Sequence, residues 1–320
     1  METPTISVVT VTFNSESFIH ECLRSTAAQA DGQVTVEHIV VDNASNDRSS
    51  EIVQNEFPDV VFQANSENRG FTAANNQGAA LARGRYVVFL NPDTVVPDGT
   101  FRTMLGIMEE HPDIGVLAPR LMDEHGRMSN DMGDRVPTLW TLIGTFWLLN
   151  RVFPTVFSGV NRGTDISGLE DCDWACGACL MVRREVADVF EWGRFGVGDD
   201  FAYCIQIGDA GWRIALTGDA EVIHFEGRSW KVAQRNTLKG PPSEYAHYLH
   251  SHKGRLHAVL ALAAMRGGLR VRSAVHRLLY RFSGDPERLY KANKTQQFLG
   301  HDEYAVFREG DVRTPTSYPG

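Results

Sequence analysis

The apolar run Val87-Val88-Phe89-Leu90 passes straight into Asn91-Pro92-Asp93. An unpaired carboxylate is costly to bury, so Asp93 at a strand end must meet water, a cation or a hydrogen-bond donor. A second pair of acids, Asp199-Asp200, stands in "GVGDDFAYCIQIGDAGW", and His224 lies in "EVIHFEGRS". One carboxylate can hold a hard divalent cation while another draws a proton from a hydroxyl. Each group also has a plainer reading. Adjacent acids at a helix start complement the helix dipole, and a lone strand-end histidine is commonly just capped.

Further polar residues follow other apolar runs: Thr12 and Asn14 in "VTVTFN", Asp42, Asn43 and Ser45 in "VVDNAS", and Asn68, Gly70 and Asn75 in "ENRGFTAANNQG". Short acceptors along one sheet edge suit a base and a ribose, and Gly70 lets backbone approach a ligand closely. Asx turns and caps would explain any one of them; their recurrence at successive strand ends favours one nucleotide site. No GxGxxG follows the first strand, and GxxxxGK[ST] is absent. Neither familiar phosphate cradle is therefore offered. A cation on Asp93, with His224 as a second ligand, is the physical alternative for a diphosphate.

These residues need elements to position them. "ISVVTVTFN", "VEHIVVDNASND", "DVVFQANSENRG" and "RYVVFLNPD" read as strands. Between them "SESFIHECLRSTAAQ", with Ser15 or Ser17 as N-cap, "RSSEIVQNEF" and "FTAANNQGAALARG" read as helices. That alternation predicts an α/β fold with a mostly parallel, Rossmann-like sheet flanked by helices, whose ligands bind at the carboxyl ends of the strands. Further elements are a helix near 99–111, a strand and hairpin from Ile114, a strand feeding a helix in "DWACGACLMVRREV", then a helix and strand through "AGWRIAL". The expected division is a catalytic domain over 1–240, with halves meeting near 115, a basic helical extension over 241–300 and a tail over 301–320.

The chain has 320 residues, 42% of them hydrophobic, enough for a full core. Five cysteines and no basic-then-apolar leader point to a reducing, cytoplasmic setting. Cys172, Cys176 and Cys179 have no fourth ligand at finger spacing and read as core packing rather than zinc. A net charge of −9 argues against nucleic acid as a partner.

Taken in order, "VTFN", "VDNASND", "NRGFTAANNQG", "FLNPD", "ACGACLMVRRE", "GDDFAYCIQIGDAGW" and "HFEGRS" resemble the family 2 inverting glycosyltransferases of the GT-A fold, nearest their rhamnosyltransferase-like branch. The resemblance spans residues 5–230. It implies that Thr12, Asn14, Asp42 and Asn68 hold the nucleoside of a dTDP- or UDP-sugar donor. Asn91-Pro92-Asp93 stands at the family's DxD position, with Asp93 binding Mn²⁺ or Mg²⁺. Asp200 takes the catalytic-base position beside Asp199, and His224 and Ser229 form the xHxxxxS element. Asn91, Asp199, Ala202 and Gln206 depart from the usual acid, Glu, Asp and Arg at their places. A sugar-1-phosphate nucleotidyltransferase would need a glycine-rich basic loop where "TFNSESF" stands. A carbohydrate-binding or scaffold relative without turnover has no reason to keep both Asp93 and Asp200.

The implied acceptor is a glycan or lipid-linked intermediate of cell-surface polysaccharide. From Tyr245 to Gly284 there are seven Lys or Arg and no Asp or Glu, which leaves −16 on the remainder. The apolar stretch from Leu139 to Leu149 is too short to span a bilayer. Residues 139–157 and 253–282 could together dock on the inner face of the membrane; a homodimer interface, or packing on the catalytic domain, is the alternative. Gly267-Gly268 is expected to interrupt the helix of the basic segment.

Overall fold

The computed structural model describes residues 3–129, 132–136, 138–153, 166–193, 199–225, 249–250 and 252–299. Contacts divide the chain into two compact units, one of 1–135, 163–235 and 315–320, the other of 136–162 and 236–314. Residues 136–162, expected within the catalytic domain, thus group with the C-terminal helices. The tail over 301–320 lies outside the described residues.

In the first unit the elements run β1 (Ile6–Thr12), α1 (Ile19–Ala27), β2 (Val36–Asp42), α2 (Ser49–Glu56), β3 (Val61–Ala64), α3 (Phe71–Leu81), β4 (Tyr86–Leu90), β5 (Thr94–Val95), α4 (Thr100–Glu110), β6 (Ile114–Met122) and β7 (Gly133–Asp134). In the second unit, α5 (Leu139–Phe146) and α6 (Leu149–Val152) come next. The chain then returns to the first unit with β8 (Leu169–Cys172), β9 (Trp174–Ala175), β10 (Cys179–Arg183), α7 (Arg184–Ala187), α8 (Asp199–Asp209) and β11 (Arg213–His224). Helices α9 (Arg255–Ser283) and α10 (Pro286–Leu299) complete the second unit.

The large sheet has the order β3-β2-β1-β4-β10-β6-β11-β5, with β8 also paired to β11. Strands β3, β2, β1 and β4 are mutually parallel, and β6 runs parallel to β11. β10 is antiparallel to both its neighbours. Every residue of β1 and β4 is buried, as strands covered on both faces must be. Phe89 and Leu90 of β4 join Met104, Leu117, Met181 and Tyr203 in the main core, while Ile19, Leu23, Val40 and Val53 form a separate core under α1 and α2. Cys172 and Cys179 pack into the main core. Helix α3 lies so close to β1 that a Cβ on Gly78 would fall 2.3 Å from Val9.

Neither Ser15 nor Ser17 caps α1. The helix begins at Ile19, and the Ser15 carbonyl accepts from the N–H groups of Phe18 and Ile19 in a preceding turn.

In the second unit α9 is continuous through Gly267-Gly268. The two glycines serve close packing instead. A Cβ on Gly268 would lie 2.5 Å from the Phe146 backbone, and one on Gly267 2.7 Å from the Trp147 ring. The Arg272 guanidinium donates to the carbonyls of Thr145 and Phe146, which closes the C-terminal end of α5. Leu142, Leu249, Ala258, Ala261, Leu262 and Met265 make the core of this unit. Among the described residues, no helix is long and apolar enough to cross a membrane.

Candidate active site

The carboxyl ends of β1, β2 and β4 lie side by side, because β1 pairs in register with both neighbours and Thr12 stands opposite Asp42. Two loops after β1 and β2 are laced together. The Asn14 N–H donates to Ser45 Oγ at 3.0 Å, the Asn46 N–H to Asn14 Oδ1 at 2.8 Å and the Glu16 N–H to Asp47 Oδ2 at 3.0 Å. Asn14 takes a left-handed backbone, φ 52°, which asparagine tolerates. Burial works against the Asp47 charge, yet the Ser49 hydroxyl and the N–H groups of Glu16 and Ser49 outweigh it and hold the carboxyl below its usual range.

Asp42 accepts from the Ser45 hydroxyl and backbone N–H, and is itself buried. Asn43 is fully engaged in holding the loop after β3. Its Nδ2 donates to Asn68 Oδ1 and the Gly70 carbonyl, and its Oδ1 accepts from Asn65 and the Arg69 N–H. Asn43 is therefore a scaffold for Asn68 and Gly70. Gly70, at φ 84°, starts α3, where Asn75 is buried and donates to the Phe71 carbonyl. Among the described residues, Thr12 Oγ1 has no hydrogen-bond partner, though it is buried at the end of β1.

Asp93 is 3% exposed, and its Oδ1 lies 3.4 Å from His224 Nε2. The sheet brings them together: the end of β11 pairs with β5, setting His224 opposite Thr94, and the Phe225 N–H donates to the Asp93 carbonyl. The Asn91 carbonyl accepts from the Thr94 hydroxyl at 2.7 Å, which fixes the turn. Cys22 lies under this turn; burial pushes its thiol up to about 12, so it stays protonated. Two cis ligands of a small octahedral cation stand about 3 Å apart when each bond is ~2.1 Å. The Asp93–His224 spacing and its oxygen-plus-imidazole chemistry fit such a cation if phosphate oxygens and water fill the other positions. Among the described residues no group of three or more His, Cys, Asp or Glu offers an all-protein cage.

Asp200 sits in the first turn of α8; the side chain of Asp199 and all of Ser229 lie outside the described residues. The Gly177 N–H donates to Asp200 Oδ2 at 3.0 Å. The next residue, Ala178, accepts from the Asn91 N–H at 3.0 Å. This peptide therefore ties Asp200 to the turn that carries Asp93. It can do so because β10 is antiparallel to β4, with Cys179 opposite Leu90, so the start of β10 meets the end of β4.

Beneath Asp200, Trp192 stacks on Tyr203 at 4.5 Å, with Phe89 edge-on to both. The Trp192 backbone exchanges two hydrogen bonds with the Asn76 amide, and Gln206 Nε2 donates to the Glu191 carbonyl. Gln206 therefore fastens α8 to Glu191, next to Trp192.

Gly177, Ala178, Asn76 and Trp192 escape the sequence reading. "ACGAC" draws attention to its cysteines, whereas the glycine between them does the positioning. Only the glycine's place in a motif one strand away from Asp93 could have signalled it.

The sequence model of glycosyl transferase family 2 matches residues 7–190, more than half of the chain. An N-acetylglucosaminyl-diphospho-decaprenol L-rhamnosyltransferase of Mycobacterium tuberculosis is 25% identical over 301 residues, 86% of this chain and 95% of that protein. The minor teichoic acid biosynthesis protein GgaB of Bacillus subtilis is 32% identical over 125 residues, 38% of this chain but 14% of its own length. Among solved structures, Staphylococcus aureus TarS residues 1–349 with UDP-GlcNAc superposes with a TM-score of 0.51 at 16% identity, over 92% of this chain and 80% of that one. A mannosyltransferase of Pyrobaculum calidifontis, solved with GDP-Man and Mn²⁺, gives 0.50 at 17% identity over 96% and 84%. These two likenesses agree with the GT-A arrangement of sheet and helices. With the family match covering β1 through α7 and the strand-end acids in place, the chain belongs to glycosyl transferase family 2 and is a glycosyltransferase.

Proposed function

We propose that the enzyme transfers a sugar, with inversion at the anomeric carbon, from a nucleoside diphosphate donor to a hydroxyl of a glycan or lipid-linked acceptor in cell-surface polysaccharide synthesis. The observation that carries this reading is the Gly177-Ala178 peptide, which joins the Asp200 carboxylate and the Asn91–Asp93 turn. A base and a leaving-group site must hold a fixed separation for in-line displacement, and a shared peptide supplies one.

In this reading Asp200 accepts the proton of the acceptor hydroxyl, whose own pKa is far above neutral, as oxygen attacks the anomeric carbon. Asp93 and His224 would hold Mn²⁺ or Mg²⁺, and such a cation would supply positive charge to the departing diphosphate in place of a general acid. Thr12, with its unpartnered hydroxyl, and the laced rim of Asn14, Asp42, Ser45 and Asn68 receive the nucleoside. The rhamnosyltransferase relative, aligned over nearly its whole length, supports rhamnose as the sugar and a lipid-linked diphosphate as the acceptor; dTDP is the nucleoside diphosphate we assign to the donor. The reaction then takes place in the cytoplasm, at the inner face of the membrane.

Thermal shift with dTDP-, UDP- and GDP-sugars, with and without Mn²⁺, tests the reading, together with slow release of free nucleoside diphosphate. Metal-dependent stabilisation and hydrolysis with a dTDP-sugar are expected. No response to any sugar nucleotide overturns the donor assignment, and pyrophosphate release from a nucleoside triphosphate and a sugar phosphate would replace transfer with nucleotidyl chemistry.

A further inference from the structure

We propose that the second unit carries a docking face for an anionic lipid surface, formed by one side of α9. This helix is apolar on two sides. Ala258, Ala261, Leu262, Met265, Gly268 and Leu269 are buried. On another side Leu256, Leu260, Val271, Leu278 and Phe282 recur at near-whole-turn intervals and are exposed, Leu256 by 69% and Phe282 by 83%. Trp147 joins this second strip. Its indole lies over Gly267, donates to the Ala264 carbonyl at 2.9 Å and remains 42% exposed.

The strip is flanked by cations. Arg270 and Arg281 are exposed beside it, Arg255 is exposed at the helix start, and no acid occurs between Tyr245 and Gly284. Contiguous exposed apolar surface marks an interaction site. Its partner must accept aliphatic side chains and positive charge along the same helix. A bilayer interface does both: the acyl boundary takes Leu and Phe, the headgroup level suits Trp, and anionic phosphates meet Arg. A second copy of this chain fits poorly, because a two-fold contact across α9 would set arginines against arginines with no acid from this stretch to pair them.

From the segment 139–153 the strip takes Trp147, whereas Leu142 is buried against the far side of α9. The proposal stands apart from the transfer reaction, since it uses no residue of the candidate active site.

Co-sedimentation of the full chain with vesicles of phosphatidylglycerol and phosphatidylethanolamine, against vesicles of phosphatidylcholine alone, tests it without any donor sugar. Binding to the anionic vesicles is expected, weakening steeply with added salt. Arg270→Glu with Arg281→Glu should lower the partition coefficient by about fivefold or more per site. Leu260→Ser with Phe282→Ser should lower it by about tenfold per site. All four positions are exposed, so an unchanged thermal midpoint and unchanged donor hydrolysis are the controls. Failure to bind anionic vesicles, or wild-type binding by both double variants, overturns the proposal. So does a dimer that the Leu260/Phe282 variant converts to monomer without any change in lipid binding, which would assign the strip to a second copy.

Discussion

Gly177→Ala tests the peptide that joins the two halves of the active site. A methyl group there would stand 3.3 Å from Asp200 Cβ and 3.4 Å from Trp192 Cη2. Ordinary carbon contacts are about 3.5–4.0 Å, so something must retreat by a few tenths of an ångström. Trp192 has little room, being stacked on Tyr203 and edged by Phe89 and Phe71. Asp200 therefore moves, and its 3.0 Å bond from the Gly177 N–H lengthens. An error of 1 Å in a reacting group costs about 100-fold. Roughly half that displacement should cost about tenfold in kcat, close to 1.4 kcal/mol of barrier. Steady-state kinetics should show lowered kcat with the donor KM almost unchanged, since the rim proposed for the nucleoside follows β1, β2 and β3. A raised donor KM at normal kcat, or wild-type behaviour throughout, would refute the idea that this peptide sets the position of Asp200.

Asp200→Asn should lower transfer by about 10²–10⁴-fold while donor binding by calorimetry persists; normal turnover would remove Asp200 from the base role. Asp93→Ala should weaken both transfer and Mn²⁺-dependent donor binding, and unaltered metal dependence would show that the cation is held elsewhere. His38 is buried on β2 with Nε2 3.0 Å from the Thr10 hydroxyl, and burial lowers its pKa from 6.5 to about 3. The unfolded chain therefore binds the extra proton between those values. The stability owed to a neutral His38 is complete above about pH 6.5 and declines by ~1.4 kcal/mol per pH unit as pH falls toward 3. Denaturant unfolding of His38→Gln across pH 4–6.5 should show a shallower slope than wild type; equal slopes would exclude this histidine as the cause. Gly268→Ala should destabilise the second unit by about 1–3 kcal/mol, because its methyl group meets the Phe146 backbone, which cannot rotate away. Denaturant unfolding followed by tryptophan fluorescence checks it.

Much of this protein is legible from its residue order. The alternation of apolar runs with helix-period segments gives β1 to β4 with their helices, and α4, because side-chain periodicity depends only on neighbours along the chain; the short β5 is not among them. The polar residues after β1, β2 and β4 come together along one sheet edge, as their places at successive strand ends suggest, and Asp93 draws attention because a buried strand cannot absorb a bare carboxylate. Other features were decided by pairing between distant segments. The antiparallel placement of β10 beside β4 puts Gly177 between Asn91 and Asp200, and the end of β11 sets His224 against Asp93. The Asn43 amide bonds to Asn65, Asn68, Arg69 and Gly70, partners from another loop that its type alone does not name. The Gly267-Gly268 pair reads locally as a helix break, yet α5 packs against it and the helix continues. Local propensity costs a helix about 1 kcal/mol per glycine, and close packing of two helices returns more than that. Strand order and helix contact depend on residues many positions apart, and those surfaces exist only once the chain has folded.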